Sequence, residues 1–361
     1  MKIAQVAPLY ERVPPKLYGG TERVVSYLTE ELVRQGHDVT LFASGDSVTA
    51  ANLRPICEQA LRLSANRIID SLAHHVRLIE IVAQEAHEFD VVHFHIDYLH
   101  FPLTRRQRIT ALTTLHGRLD IPDLYPLYQE FKQMNVVSIS DAQRSPLPGA
   151  NWIATVHHGL PADLLHLQEQ PGRYLAFLGR ISPEKRVDRA IEIARKVGMP
   201  LRIAAKVDAA DRDYFETRIK KLIDNRLIQY VGEIAESEKQ DFLGNAYALL
   251  FPIDWPEPFG LVMIEAMACG TPVVAFKGGS VPEVLDDGQS GFVVDGIEEA
   301  VTAIPRIARI DRRSCRRTFE KRFTAERMCD NYVEVYGRLL TQEEPAVASR
   351  LTSRVRVSVA A

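Results

Sequence analysis

The chain has 361 residues, of which 46% are hydrophobic and 25% are charged, and its formal net charge is −3. This length and composition predict a globular protein of about two domains, each long enough to bury its own core. The nearly balanced charge predicts no nucleic-acid partner, and the four cysteines have neither CxxC spacing nor a metal-ligand spacing with histidine.

The apolar runs bear on localisation. The first run, 3–9, ends before Glu11 and Arg12 and is too short for the core of a signal peptide. No run reaches the ~20 apolar residues that a membrane-spanning helix needs. We therefore expect a cytoplasmic protein.

Short apolar runs alternate with amphipathic stretches throughout the chain. The first half contains six runs that predict strands, at 3–8, 39–43, 91–95, 111–115, 136–139 and 153–156. A helix is predicted over 21–35, with Thr21 as its N-cap and Gly36 as its stop. A long amphipathic stretch, 66–88, precedes the third run.

The second half repeats the pattern. Six more runs predict strands at 174–178, 201–205, 228–231, 248–251, 272–276 and 291–294, and helices are predicted at 184–197, 211–223, 236–247 and 261–268. Strands separated by helices indicate parallel sheets with both faces covered. Twelve strands are too many for an eight-fold β/α barrel, so two doubly wound domains are predicted.

The polar segment 168–172 is the predicted boundary between the domains. We expect a first domain over 1–170, a second over 171–325, a helix over 326–345 that packs back on the first domain, and a tail over 346–361 without helical periodicity. Ligands of such domains bind at the carboxyl ends of the strands, and here those ends would face each other across a cleft.

One segment points to specific chemistry. Between Pro258 and Phe276 the only charged residue is Glu265, inside a predicted helix, and a carboxylate buried there needs a partner. Glu257 precedes the helix, and Gly260 allows close approach of the backbone, so the amides of 259–261 can form an anion site at the helix N-terminus. Two carboxylates beside free amides suit a ligand that combines sugar and phosphate.

The fuller pattern identifies a family. Glu257-Pro-Phe-Gly-Leu-Val-Met-Ile-Glu265 resembles the Glu-x7-Glu signature of the family 4 retaining glycosyltransferases, and so does Gly278-Gly-Ser-Val-Pro-Glu283. The similarity covers nearly the whole chain. It implies an α/β protein of GT-B type, with two Rossmann-like domains facing a central cleft. It also implies that Glu265 holds the ribose, while the sugar is held by Glu257 and the amides of Phe259, Gly260 and Leu261.

The phosphate side of the predicted site lies at Gly179-Arg180-Ile-Ser-Pro-Glu-Lys185. Arg180 leaves the end of a predicted strand, and Pro183 suits the first turn of the next helix. Arg180 and Lys185 could converge on a diphosphate, or Arg180 could simply pair with Glu184. The resemblance favours the first interpretation and implies that both cations stabilise the departing diphosphate.

The first domain is expected to supply the opposite wall. The loop 18–22 contains Gly19 and Gly20, and the resemblance implies that it approaches the donor phosphate or the acceptor. His116 follows a predicted strand, where a histidine of the family contacts the transferred sugar. In the second domain, Ile234 ends a turn that resembles the base-contacting turn of the family.

A second group of histidines, His93, His95 and His100, lies near Asp97. His93 and His95 share one face of a strand, so a metal site is conceivable, but no ligand set closes. Polar lining of the cleft is the preferred interpretation, and the family works without a metal held by Asp-x-Asp. His158 lies where many relatives have Asn-Gly, so its role stays open.

The stretch 306–327 is rich in arginine and lysine. A solvated helical surface is the preferred interpretation. Peripheral contact with an anionic membrane, at the inner face, or with an acidic glycan is the alternative.

These features predict a hexosyltransferase that uses a nucleoside-diphosphate sugar, retains the anomeric configuration and needs no metal or other cofactor. UDP-glucose is the first donor to expect and GDP-mannose the second, by family frequency. The acceptor is a hydroxyl of a glycan, a lipid-linked sugar or a small molecule. The rivals are a nucleotide-sugar epimerase and a non-catalytic nucleotide-sugar-binding protein. A dehydrogenase is excluded because Pro8-Leu-Tyr-Glu-Arg-Val13 replaces the glycine-rich loop that NAD requires.

Overall fold

The computed structural model describes residues 1–16, 19–62, 64 and 68–355, with side chains through Thr341. Tyr18 of the predicted glycine loop, the beginning of the 66–88 stretch and residues 356–361 of the predicted tail lie outside the described residues. No helix of the described part of the chain is long and apolar enough to cross a membrane.

The first domain is built on a parallel sheet with helices on both faces. Its strands β1–β7 are Lys2–Val6, Asp38–Ser44, Asn52–Cys57, Val91–Phe94, Ala111–Thr114, Val136–Ser138 and Trp152–Thr155. Its helices α1–α5 are Gly20–Arg34, Ser71–Glu85, Phe101–Gln107, Leu124–Glu130 and Asp141–Arg144, with a 3-10 turn at Ala86–Glu88. The strand order is β3-β2-β1-β4-β5-β6-β7.

The second domain repeats this architecture. Its strands β8–β13 are Leu175–Arg180, Leu201–Lys206, Ile228–Gly232, Ala248–Phe251, Val273–Phe276 and Gly291–Val294, in the order β10-β9-β8-β11-β12-β13. Its helices α6–α12 are Val187–Val197, Arg212–Tyr214, Lys239–Gly244, Leu261–Ala268, Val281–Val284, Ile297–Arg306 and Arg312–Arg322. Short turns lie at Ala209–Asp211, Phe215–Ile219, Lys220–Leu222, Glu236–Glu238 and Ile307–Arg309.

The strand order of each sheet indicates where a ligand binds. In the first sheet the direction of winding reverses between β1 and β4, and in the second sheet between β8 and β11. Ligands of doubly wound sheets bind where this reversal opens a crevice at the carboxyl ends of the strands. The central strands are buried on both faces, as their continuous apolar runs predict.

The prediction of six strands in the first domain is wrong, because β3 was missed. This strand contains the exposed residues Arg54 and Pro55 and lies at the edge of the sheet. An edge strand needs no continuous apolar run and tolerates proline, so periodicity alone could not reveal it.

Three helix boundaries also differ from prediction. Helix α1 begins at Gly20 after an N-cap at Gly19, so Thr21 lies in the first turn and makes no capping bond. Helix α6 begins at Val187, because 183–186 form a turn after β8, so Pro183 precedes the helix. The predicted helix over 211–223 is a succession of short α, π and 3-10 turns.

The last helix, α13 (Ala325–Val355), is longer than predicted and reaches ten residues into the segment expected to lack helical periodicity. It returns to the first domain after a bridge between Leu160 and Thr324. Tyr332 and Tyr336 are fully buried there, and Tyr336 bonds to Gln5 of β1. The helix thus packs on the first sheet, although it follows the second domain in the sequence.

Of the nine basic residues in the stretch 306–327, six are exposed, and only Arg312, Arg316 and Arg322 are buried or half-buried. The guanidinium of the buried Arg312 donates to the carbonyls of Ala246 and Gly244 at 3.0 and 2.8 Å. Arg316 donates to the carbonyls of Leu165 and Ala268. These two arginines hold the connection between the domains against the second domain, whereas the six exposed basic residues agree with the predicted solvated surface.

Candidate functional site

A cavity of about 410 Å³ lies between the two domains, at the carboxyl ends of both sheets. All of the site residues predicted from the sequence line it. The first domain contributes Gly19, Gly20 and His116, and the second contributes Arg180, Lys185, Ile234, Glu257, Phe259, Gly260, Leu261 and Glu265. Residues far apart in sequence therefore meet because each follows a strand or begins a helix at the same edge.

Glu257 lies in the loop between β11 and α9. Its carboxylate accepts a hydrogen bond from Trp255 Nε1 at 2.8 Å and pairs with the ammonium of Lys185. Gly260 then turns the chain into α9 with φ of +82°, a conformation that suits glycine. Leu261 and Val262 are the first two residues of α9, where the helix itself offers no acceptor for the backbone N–H groups, and both residues line the cavity.

A second glycine holds this loop from behind. Gly279 has φ of +52°, and a Cβ added there would lie 2.2 Å from the carbonyl oxygen of Glu257. Ser280 donates its backbone N–H to that same carbonyl at 2.9 Å. The backbone at Gly278-Gly279 therefore packs directly against the backbone of Glu257, which a side chain at Gly279 would prevent.

Glu265 is buried, and the structure supplies the partner that its burial requires. Lys239 of α8 donates to Glu265 Oε1 at 2.6 Å and lies 2.9 Å from Glu236 Oε2. Burial lowers the pKa of Lys239, but the two neighbouring carboxylates outweigh it and raise the pKa above its usual value. Lys239 is therefore cationic, and it holds Glu265 at the cavity wall.

Arg180 and Lys206 lie side by side, because they are register partners at the ends of β8 and β9. Arg180 pairs with Glu184, as the alternative interpretation predicted, and lies 3.7 Å from the carboxylates of Asp208 and Asp211. Lys206 lies 3.0 Å from Asp208. Two cations among carboxylates thus face the cavity, where a polyanionic group can replace some of those carboxylates.

The first-domain wall is lined by two neutral histidines. Burial lowers the pKa of His116 to about 3 and that of His158 well below its usual value. Their rings stack with centroids 5.3 Å apart, and His158 also packs against Phe259 across the cleft. The Nδ1 atom of each ring is buried and has no hydrogen-bond partner in the described part of the chain.

His93, His95 and His100 do not line the cleft, so their interpretation as polar lining of the cleft is wrong. His93 and His100 are fully buried, and each bonds through both ring nitrogens to hydroxyl groups. His95 bonds to Gln5 and to His116. Across residues 1–16, 19–62, 64 and 68–341, no group of three or more His, Cys, Asp or Glu side chains is placed to hold a metal ion.

The two domains are joined across the cleft by polar contacts. Arg23 of α1 pairs with Glu236 at 3.0 Å. Ser140 donates its hydroxyl to the carbonyl of Pro258 at 2.7 Å. Glu283 accepts the backbone N–H groups of Asp141 and Ala142, at the beginning of α5, at 2.7 and 2.6 Å.

The cavity also contains residues that sequence reasoning missed. Arg23, Lys206, Lys239 and Trp255 all line it. Lys206 ends a predicted strand, which is a usable signal, and Trp255 stands two residues before Glu257. Arg23 and Lys239 lie on helices without a recognisable motif, and only the tertiary structure shows that they face the cleft.

Comparison with known proteins agrees with this architecture. A model of glycosyl transferases group 1 matches residues 166–321, and a model of glycosyltransferase family 4 matches residues 18–173. D-inositol 3-phosphate glycosyltransferase from Mycolicibacterium smegmatis is 31% identical over 195 residues, which cover 49% of this chain and 43% of that protein. The matched segment thus spans less than half of that relative.

Longer matches have lower identity. N-acetyl-alpha-D-glucosaminyl L-malate synthase from Bacillus anthracis is 24% identical over 375 residues, covering 90% of this chain and 96% of that protein. Sucrose-phosphate synthase from Thermosynechococcus elongatus superimposes with a TM-score of 0.77 at 19% identity, covering 95% of this chain and 100% of that one. Anabaena HepE in complex with UDP and glucose gives 0.73 at 18% identity, covering 94% and 100%. These structures share the fold.

The two family models meet near the connection between the domains and together extend from residue 18 to residue 321. Each model falls on one of the two parallel-sheet domains that enclose the cleft. The chain therefore belongs to the GT-B glycosyltransferases of family 4.

Proposed function

We propose that this protein transfers a hexose from a nucleoside-diphosphate sugar to a hydroxyl acceptor, with retention of the anomeric configuration and without a metal. The observation that carries the proposal is the composition of the second-domain wall. Arg180, Lys185, the residues that begin α9 and the two buried carboxylates Glu257 and Glu265 line one cavity. This set matches the diphosphate, sugar and ribose of such a donor.

Each part of the wall has a separate role in the proposal. Arg180 and Lys185 neutralise the diphosphate, whose negative charge grows as the bond to the sugar breaks. Glu257 accepts hydrogen bonds from the sugar hydroxyls, and the amides at the start of α9 donate hydrogen bonds to them. Glu265 holds the ribose hydroxyls, and the turn ending at Ile234 contacts the base through its backbone.

In the proposed reaction the acceptor oxygen attacks the anomeric carbon on the face that the diphosphate leaves. The bond between the anomeric carbon and the phosphate oxygen breaks, and that oxygen takes the proton of the acceptor hydroxyl. A covalent sugar–enzyme intermediate would need a carboxylate free to attack. Glu257 is instead engaged by Lys185 and Trp255, which supports direct transfer.

UDP-glucose is the donor that we propose first, followed by GDP-mannose. The fold of this chain is shared by Anabaena HepE, whose structures contain UDP, glucose and UDP-glucose. Backbone groups of the 231–234 turn are the proposed base contacts.

A screen of nucleotide sugars tests the proposal. A true donor present at about 100 times its dissociation constant should add roughly 2.7 kcal/mol of stability in thermal unfolding. The best donor is then incubated with glycans, lipid-linked sugars and small hydroxyl compounds, and the anomeric configuration of the product is read by NMR. Activity should persist in EDTA. No stabilisation by any nucleotide or nucleotide sugar would refute the proposal, and conversion of the donor sugar without an acceptor would instead identify an epimerase.

A further inference from the structure

A continuous chain of buried hydrogen bonds connects α13 to the cavity. Gln5 Nε2 donates to Tyr336 Oη at 3.1 Å, and His95 Nε2 lies 2.8 Å from Gln5 Oε1. His95 Nδ1 in turn lies 2.9 Å from His116 Nε2. Gln5 and Tyr336 are fully buried and His95 nearly so, so water does not compete with these bonds.

The direction of this chain follows from the chemistry of its members. The Gln5 carbonyl oxygen can only accept, so His95 must carry its proton on Nε2. A neutral imidazole has a single N–H, which leaves His95 Nδ1 as an acceptor. His116 must then donate from Nε2, and its own Nδ1 carries a bare lone pair.

The rings of His95 and His116 are both neutral, so each ring carries a single N–H proton. Burial lowers the pKa of His116 to about 3, and burial, followed by the nearby histidines, lowers the pKa of His95 well below its usual value. The buried Nδ1 of His116 has no protein partner among the described residues, and His116 lines the cavity. The chain of bonds thus ends on an acceptor nitrogen without a protein partner, in a side chain that lines the cavity.

The opposite end of the chain is compatible with this orientation of the Gln5 amide. Tyr336 Oη, which accepts from Gln5, lies 2.8 Å from His93 Nδ1 and can donate its single proton there. His93 Nε2 then donates to Thr114 Oγ1 at 2.7 Å, and Thr114 lies 2.8 Å from the hydroxyl of Tyr332. In this arrangement the proton of Tyr336 goes to His93, and Tyr336 Oη accepts from the Gln5 amide.

We propose that Gln5, acting through His95, is a positioning residue that holds His116 in the Nε2-protonated tautomer, so that the cavity offers an acceptor nitrogen to a ligand hydroxyl. A lone pair at this point attracts a hydroxyl and repels a phosphate oxygen. The identity of that hydroxyl as one on the donor sugar rests on the proposed function, whereas the tautomer does not.

The tautomer is measured directly by ¹⁵N NMR of the full chain labelled at histidine. Protonated and bare ring nitrogens resonate in separate ranges, and His116→Gln assigns the signals of His116. We expect Nε2 of His116 to be protonated and Nδ1 to be bare. A proton on Nδ1 would overturn the proposal, whatever the enzyme transfers.

Variants of Gln5 test the positioning role. Gln5→Met removes the acceptor of His95 and should yield a mixture of His116 tautomers, with a loss of about tenfold in kcat/KM for the donor. Gln5→Glu retains an acceptor for His95 Nε2–H and should restore the single tautomer. If Gln5→Met leaves both the NMR signature and kcat/KM unchanged, Gln5 has no positioning role.

Two tyrosines of α13 give a matched pair of variants that does not depend on the stability of Gln5→Met. Tyr336→Phe removes the hydroxyl that anchors the Gln5 amide and should shift the His116 signals. Tyr332→Phe removes a buried hydroxyl from the same helix that contacts Thr114 and not Gln5, and should leave those signals in place. Equal shifts in both variants, or none in Tyr336→Phe, would overturn the proposal.

Donor analogues separate this inference from the proposed function. Across monodeoxy analogues of the donor sugar, the native protein should discriminate against the one that lacks the hydroxyl bound by His116. Gln5→Met should lose that discrimination. If no nucleotide sugar is turned over while the NMR result is as expected, the proposed function fails and the tautomer assignment stands.

Discussion

The cations of the second-domain wall are all held by carboxylates of the same domain. Arg180 pairs with Glu184, Lys185 with Glu257, Lys206 with Asp208 and Lys239 with Glu265. The diphosphate of the proposed donor would therefore exchange one set of negative charges for another. Such an exchange requires little desolvation, because the cations are already in a polar site before the ligand arrives.

Arg180 gives the clearest prediction for activity. Arg180→Met removes a charge from the leaving diphosphate, and the turnover number should fall by about 10² to 10³. Arg202→Met is the matched control, because Arg202 lies on the neighbouring strand β9, is exposed and packs over Tyr174 outside the cavity. Both variants are assayed with the same donor and acceptor. Turnover by Arg180→Met within threefold of the native protein would contradict the assignment.

Lys239 and Glu265 should be strongly coupled in stability. Lys239→Met leaves a buried carboxylate unpaired and should cost about 3 kcal/mol in urea unfolding. Glu265→Gln should cost less, because Lys239 keeps its second partner, Glu236. The double variant should be more stable than the sum of the two single effects predicts. Additive effects would show that the ion pair contributes nothing beyond its separate side chains.

At the scale of single elements, the loop that carries Glu257 depends on the glycine behind it. Gly279→Ala combines a positive φ with a Cβ that would overlap the backbone of Glu257, so we expect a loss of about 2–5 kcal/mol and weaker donor binding. Gly288→Ala shares the positive φ but meets no atom within 4 Å, and should cost only about 1 kcal/mol. Thermal unfolding and donor titration of both variants check this difference. Equal losses would mean that the close approach to Glu257 is unimportant.

The elements that sequence reasoning located well are those with local causes. Central strands are recognisable because both faces are buried, and the residues after them meet because parallel strands end at one edge. The edge strand β3 and the far end of α13 have no such signature. The place of β3 is set by its pairing with β2 at the edge of the sheet.

The site residues show the same difference between local signals and contacts that depend on the folded chain. The residues of the motif segments, such as Arg180 and Glu257, were predicted and do line the cavity. The pairing of Glu257 was not predicted, because its partner Lys185 lies 72 positions away in the sequence. Lys239 and Gln5 were missed since each acts through a partner that only the folded chain brings near.

At the scale of the whole molecule, Glu283 forms a contact between the domains through a carboxylate that can titrate. Burial raises the pKa of Glu283, but hydrogen bonds from His157 and from the two amides of α5 outweigh it and lower the pKa below the usual 4.5. A carboxyl with a depressed pKa stabilises the folded state above its unfolded pKa, and this contribution is lost as the pH falls through the folded value.

Glu283→Gln should therefore destabilise the protein by about 1–2 kcal/mol at neutral pH. The difference from the native protein should shrink as the pH falls below about 4.5 and disappear below the pKa of Glu283 in the folded protein. Urea unfolding across this pH range measures it. Glu88→Gln, at an exposed position of the first domain, is the control and should show no such pH dependence. A constant difference at all pH values would exclude titration of Glu283 as its source.

The return of α13 to the first sheet has a consequence for how the protein is made. The inner face of β1, β4 and β5 receives Tyr332 and Tyr336 from near the end of the chain. At about 5–20 residues per second, a ribosome takes on the order of 10–30 s to travel from the last strand of the first domain to these tyrosines. During that interval the polar groups of Gln5, His93 and Thr114 lack the tyrosine hydroxyls that they contact in the folded protein. The polar core of the first domain can therefore be completed only after the second domain and the beginning of α13 have been synthesised.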